Sequence, residues 1–348
     1  MINVINNLSE LAYLKDSWDY LFKVCSYATP FQRYEYVFNS WKRIKHDGDE
    51  LYILCVKSDN TRQVTAIFPT SLDNHGVLSF ITQAYIDFCS ALVLPEYDNY
   101  LLYEEIATFV KKDNKIKAIS FIDLKTDNPL ISVLKPHFTN IILKECSYYS
   151  TLPIVKHSND RDFVDGIRSV NSHGRKNIRV VRKKLEGKSE FRLLRHSDNN
   201  SYPDDIISKL CKQMIQTGLR TEQYLSNNMR LFWKDLYESS LLTIATLSFD
   251  GEIKSCNFMY YDTKRNEYIK WIMLYTETKW NMCINTLIAE KLYNDGNCTI
   301  NFARGIYDYK MVNFHPSVKV LLSLSVFKSK RQKFLFLLKD FVRQLKHL

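Results

Sequence analysis

Apolar positions recur at helical spacing near the start of the chain. Leu8, Leu11, Leu14, Trp18, Leu21 and Phe22 fall on one stripe, and Phe31 to Ile44 repeats it, which predicts helices up to about Asp47. Two strand-like runs follow, Leu51–Lys57 and Val64–Ser71, around the turn residues Ser58, Asp59 and Asn60. An apolar stretch covers Ser79–Leu94. A helix over Tyr100–Lys112, a strand over Ile116–Leu124 and a short helix over Asn128–His137, broken by Pro136, come next.

The second half repeats this order. Helices are expected over Asp204–Thr217 and Met229–Ser239, and strands over Leu241–Phe249 and Lys254–Asp262, joined by Asp250-Gly251, a hairpin dipeptide. A strand at Glu267–Tyr275, a helix at Cys283–Asn294 stopped by Asp295-Gly296, and a strand at Cys298–Ala303 complete it. Between the halves Ile178, Val181 and Leu185 form an apolar stripe, and Arg175, Lys176, Arg179, Arg182 and Lys183 fill the other faces of one basic helix. The shared order predicts a duplicated α/β fold with mixed sheets: a domain over residues 1–160, a second over 161–327, and a basic amphipathic helix over 328–348.

A chain of 348 residues also exceeds what one core usually holds. No apolar run is long enough to span a bilayer, and the N-terminus lacks the features of a signal peptide, so a cytoplasmic protein is expected. The eight cysteines show neither CxxC pairs nor zinc spacing, which predicts reduced thiols and no structural metal. The net charge of +10 is local. Arg175–Lys188 and Lys328–Leu348 each hold seven Lys/Arg against one acid, so the basicity points to particular anionic partners.

The commonest hydrolase, zinc-protease, dinucleotide and NTPase motifs (GxSxG, HExxH, GxGxxG, GxxxxGK[ST]) are absent. Acyl transfer from a thioester to an amine needs none of them, because the amine attacks directly. The protein has to hold two substrates, bind the donor and stabilise an oxyanion.

The stretch Asn301–Phe314, NFARGIYDYKMVNF, resembles the signature D-F-G-x-G-x-x-x-Y-K-x-x-F of GNAT-type acyltransferases of the CelD/BcsL kind, which are similar in turn to the FemABX aminoacyltransferases with their tandem GNAT-like folds. Phe302, Gly305, Tyr309 and Lys310 match, Phe314 lies one residue beyond the signature's last phenylalanine, and Asn301 stands for the acid and Ala303 for a glycine. Pro30–Ile44, Ala84–Ser90 and Ser172–Glu186 resemble further motifs of the same family in the same order.

The resemblance implies two tandem GNAT-like domains and N-acyl transfer to a sugar or sugar-linked amine in surface polysaccharide synthesis. The donor it implies is an acyl-CoA, acetyl-CoA first. It nominates Lys310, Tyr309 and Asp87 as catalytic residues. The donor would lie against Gly305 and the loop residues Lys279, Trp280, Asn281, Met282 and Cys283, with backbone N–H groups of Met282 to Ile284 on its phosphates. Arg175, Arg179 and Arg304 would hold an anionic acceptor, an amino-sugar nucleotide or a polyprenyl-linked sugar. The basic helix Arg175–Lys188 invites a nucleic-acid reading, but its seven charges lack interleaved aromatics, so acceptor phosphates rather than nucleic acid are the expected partner there. The C-terminal helix suggests peripheral contact with the inner membrane face through Phe334, Leu338, Phe341 and Leu345. An aminoacyl-tRNA-dependent ligase and a non-catalytic scaffold are the rival expectations. Trp280-Asn281 in place of the family's Pro-Gly favours the latter, and the intact G-x-x-x-Y-K favours catalysis.

Overall fold

A computed structural model describes residues 1–345, with side chains described through residue 338. The chain forms two compact units, Met1–Ser147 joined by the stretch from Val320, and Tyr148–Lys319.

In the first unit, β1 (Ile2–Ile5) precedes α1 (Leu8–Tyr13), α2 (Lys15–Val24) and α3 (Tyr34–Ile44). The strands β2 (Glu50–Leu51), β3 (Ile53–Lys57), β4 (Val64–Phe68), β5 (Thr70–Leu72), β6 (Val77–Phe80) and β7 (Leu92–Val93) follow. Next come α4 (Tyr100–Lys112), β8 (Ala118–Lys125) and the start of β9 (Ile141–Ile154). One antiparallel sheet runs β1-β3-β4-β7, with Ile2 opposite Val56. The order β8-β6-β5-β2 forms a second, mixed sheet, in which β6 and β8 are parallel. The helical stripes are buried as the spacing demands, with Leu11, Trp18 and Leu21 fully enclosed. Asn99 caps α4 by accepting from the N–H groups of Leu101 and Leu102.

The second unit takes the rest of β9, then α5 (Ser172–Leu185), β10 (Ser189–Arg195), α6 (Asp204–Gln216) and α7 (Asn227–Glu238). The strands β11 (Leu242–Phe249), β12 (Glu252–Asp262) and β13 (Glu267–Tyr275) lead into α8 (Lys279–Asp295), β14 (Cys298–Arg304) and α9 (Asp308–Phe314). Its sheet runs β10-β11-β12-β13-β14-β9. The turn between β11 and β12 has positive φ at both Asp250 (49°) and Gly251 (77°), as the dipeptide predicts. One face of the sheet packs against α5, α8 and α9 through Ile178, Leu185, Ile284, Ile288, Phe302 and Phe314. Trp233 against Phe258 and Phe232 against Trp271 bring α7 onto the other face. β15 (Ser317–Phe327) returns to the first unit, pairing with β8, and α10 (Lys330–Leu345) ends the chain.

Three expectations shift. The units part at Ser147/Tyr148, inside β9, and not at 160/161, because Thr151–Ile154 already pair with β14 while the residues before Tyr148 belong to the first unit. β9, β10 and β15 lie outside the predicted elements, and β1 is a strand within the N-terminal stretch expected to be helical. The terminal helix starts at Lys330, and its Phe336 ring lies 5.1 Å from Phe327, whereas Phe334 and Leu338 are exposed. Phe341 and Leu345 of the expected stripe lie outside the described side chains. Five cysteines are buried as expected, but Cys146 is exposed. Among the described residues no helix is long and apolar enough to cross a membrane.

Candidate functional site

The central feature of the second unit is a divergence of two parallel strands. β13 and β14 pair only over Glu267–Ile269 and Thr299–Asn301. Past that point β14 kinks. The Asn301 side chain, fully buried, accepts from the Ala303 N–H through Oδ1 at 2.8 Å, which holds Ala303 at φ 55°. A left-handed alanine costs roughly 1–2 kcal/mol. Gly305 follows at φ 95°, and its N–H donates to Tyr148 O at 2.8 Å, joining β14 to β9 instead of β13. A Cβ at Gly305 would lie 2.6 Å from the Tyr307 ring, so glycine is required there on two grounds.

The chain then turns into α9, which carries Lys310 inward to 2% exposure. Its ammonium donates to Phe302 O at 2.8 Å and to Gly305 O at 3.1 Å, and lies 4.8 Å from the centre of the Tyr307 ring. Tyr309 stacks on Tyr307 and its hydroxyl donates to Met273 Sδ at 3.5 Å; burial pushes its phenol up. Arg304 is half-buried at the end of β14. Gly305, Tyr309 and Lys310 thus gather at the divergence. Phe302 and Phe314 hold α9 there, and α5 approaches so closely that a Cβ at Gly174 would meet Asn313 O at 2.6 Å.

Sequence reasoning missed Lys270, the first residue of β13 past the paired stretch. It is 3% exposed. Its amine donates to Asn285 Oδ1 on α8 and lies 3.3 Å from Met273 Sδ. With the Asn257 amide turned so that both its ends are satisfied, the Asn257 oxygen accepts from Lys270 at 3.2 Å. Burial, and then the neighbouring Lys310, hold this amine well below the usual lysine range. The available signal was a lysine inside the otherwise apolar and aromatic run Tyr268–Tyr275.

The expected donor loop is arranged differently from the reading of the sequence. The helix begins at Lys279, not Cys283. Cys283 and Ile284 are therefore far enough inside it for their N–H groups to bond within the helix, which removes them as phosphate donors. The N–H groups of Trp280 and Asn281 donate to Glu277 O and Thr278 O. Lys279 pairs with Glu277 at 2.8 Å, Trp280 is buried against Phe249, Asn281 is buried, and Met282 and Cys283 are half-buried.

Arg175 and Arg179 face acids of their own unit. Arg175 donates to Asp165 Oδ1 at 3.0 Å and to Val170 O, and Arg179 grips Asp162 twice and Asp165 once at 2.7–3.1 Å. These pairs tie α5 to the segment before it. Asp87 belongs to the first unit and is buried, in a loop that Gln32 secures through Phe88 O at 2.6 Å and Asn128 through Cys89 O at 3.2 Å.

Strand order, the divergence and the following helix define a protein of the tandem GNAT fold. No protein-family profile and no curated protein sequence matches the chain. Solved structures do. The C-terminal DUF2156 domain of a putative lysylphosphatidylglycerol synthetase from Agrobacterium fabrum is similar with a TM-score of 0.60 at 11% identity, covering 97% of both chains. FemX gives 0.58 at 10% identity, covering 93% of this chain and 96% of its own. A tandem GNAT protein from the clavulanic acid biosynthesis pathway gives 0.56 at 9% identity, covering 94% and 99%. The duplicated α/β fold inferred from the repeated element order, and the two tandem GNAT-like domains that the family resemblance implied, are the observed fold.

Proposed function

We propose that the protein is an N-acyltransferase whose donor thioester enters the divergence of β13 and β14. The observation that carries this reading is the Lys310 ammonium, buried and fixed by two backbone carbonyls where the strands part. An attacking amine forms a C–N bond to the thioester carbon, and the carbonyl π pair moves onto oxygen. Lys310 stabilises that oxyanion, the C–S pair leaves as thiolate, and the proton shed by the amine neutralises it. By the family resemblance the donor is an acyl-CoA and the acceptor an amino sugar of a surface polysaccharide precursor, with Asp87 serving acceptor recognition. Incubating the protein with amino-sugar nucleotides and acetyl-CoA, followed by mass spectrometry, is expected to show a mass gain of one acyl group. Lys310→Met is expected to remain folded and lose at least about 100-fold in turnover. Wild-type turnover in that variant would remove the role.

One observation favours a second reading. The donor loop has no glycine, and Trp280 and Glu277 fill the start of α8. An aminoacyl-tRNA donor, as the FemABX resemblance allows, would not depend on that loop for coenzyme A phosphates. Acyl transfer from charged tRNA, with none from acyl-CoA, would select it. Peripheral membrane contact through α10 is a separate proposal. It is supported by the exposed Phe334, Leu335, Leu337 and Leu338 beside Lys330, Arg331 and Lys333.

A further inference from the structure

Two lysines enclosed in one protein core are an electrostatic problem, and the second unit contains such a pair. Lys270 and Lys310 are 3% and 2% exposed, and both amines lie over the Phe302 ring, at 5.4 and 5.9 Å from its centre. Lys270 sits where β13 parts from β14, while β13 stays paired with β12 opposite Met259. Among the described residues its contacts are all neutral: the amide oxygens of Asn285 and Asn257, the Met273 thioether and the Phe302 ring. No carboxylate answers it. Two ammonium groups at this depth repel each other strongly, because little water screens them.

The surroundings name what is missing. Asn285 gives its oxygen to Lys270, and its Nδ2 donor is buried without a partner. Lys270 has three acceptors, one for each hydrogen of an ammonium, so the cradle can accommodate the protonated form once a counter-charge offsets burial and Lys310. Among the described residues, the charged group that acts on this amine is Lys310 of α9. β12 offers Asn257, β14 offers Phe302, α8 offers Asn285, and α9 offers Lys310 together with Tyr309, whose phenol stays neutral. An anion is the one kind of ligand that would allow both lysines to be charged.

We propose that Lys270 and Lys310 form a two-amine site for a single anionic oxygen group, and that Lys270 gains a proton as that group arrives. The class of ligand is a compact oxyanion: the oxygen of a tetrahedral acyl-transfer intermediate, or a carboxylate or phosphate carried by a substrate. This rests on the acyltransferase reading only for the first source. In that case the C–N bond forms, the carbonyl pair moves to oxygen, and the proton shed by the amine ends on Lys270. When the C–S bond breaks, the carbonyl reforms, and the proton passes to the departing thiolate, so Lys270 returns to neutral.

The test needs no turnover, so its outcome is separate from that of the acyltransferase assay. Protein labelled with 13C at lysine Cε is titrated by NMR, alone and with sodium acetate or inorganic phosphate. One lysine is expected to titrate well below the others and to vanish in Lys270→Met. It is expected to move upward in Lys310→Met and on adding either anion to the wild type. A response to acetate alone assigns a carboxylate, and a response to phosphate alone assigns a phosphoryl group. Titration of every lysine in the ordinary range overturns the proposal. So does a low-titrating Lys270 that neither anion moves. Lys270→Gln provides the same assignment should the methionine variant fail to fold.

Discussion

Lys270→Met converts the buried amine into a measurable slope. The unfolded chain protonates this group at its ordinary value of 10.5, whereas the folded chain does so well below it. Between those two values the unfolded state binds more protons, so stability rises with pH. Above 10.5 both states are neutral and the contribution disappears. Within the window each pH unit alters wild-type stability by about 1.4 kcal/mol. Methionine has a similar length and no titration. Against that relief, the substitution strips donors from Asn285 and Asn257, and each unpaired buried acceptor costs about 1–3 kcal/mol. The offset at any one pH therefore mixes two effects, but the slope isolates the amine. Urea unfolding followed by circular dichroism, on both proteins from about pH 8 to about pH 10, should show wild-type stability gaining on the variant by about 3 kcal/mol. Parallel stability curves would refute the reasoning, since they would mean that Lys270 is charged in the folded state.

Gly305→Ala forces a side chain onto a residue at φ 95° and 2.6 Å from the Tyr307 ring; a loss of about 1–3 kcal/mol is expected by thermal unfolding, with the Lys310 anchor at Gly305 O disturbed as well. Arg179→Ala removes hydrogen bonds to Asp162 and Asp165, so it should lower stability by about 1 kcal/mol and leave the Michaelis constant for the acceptor unchanged; a raised constant with unaltered stability would return Arg179 to the substrate site. The Arg161 hydrogen bond, with Arg179, holds the Asp165 carboxyl below its ordinary 3.8. The stability it confers is complete above 3.8 and is lost as pH falls through the lowered value, so Asp165→Asn should flatten the acid limb of the unfolding curve.

How much of this was legible depends on how local each cause is. The Asp250-Gly251 turn was readable because two adjacent residues supply the positive φ that the turn needs. α4 was readable because its stripe faces one core, and Asn99 marks its start. The start of α8 was misread by four residues. Thr278 makes no side-chain cap, and buried residues occupy most faces of the helix, so apolar spacing marks neither end. β9 escaped because Lys144, Glu145 and Cys146 interrupt its apolar pattern, although the strand is held by partners distant in sequence. The same rule divides the site. Gly305, Tyr309 and Lys310 lie within one turn of a strand-to-helix junction, so a short stretch of sequence contains them. Arg175 and Arg179 looked available because the acids that engage them, Asp162 and Asp165, lie outside the helix that was read. Lys270 reads as an ordinary strand lysine until α8 covers it with Asn285 and α9 sets Lys310 beside it. Its chemistry arises only from the packing of three elements, and a lysine within an apolar strand, followed by a helix bearing buried asparagines, is the pattern by which such a site can be sought.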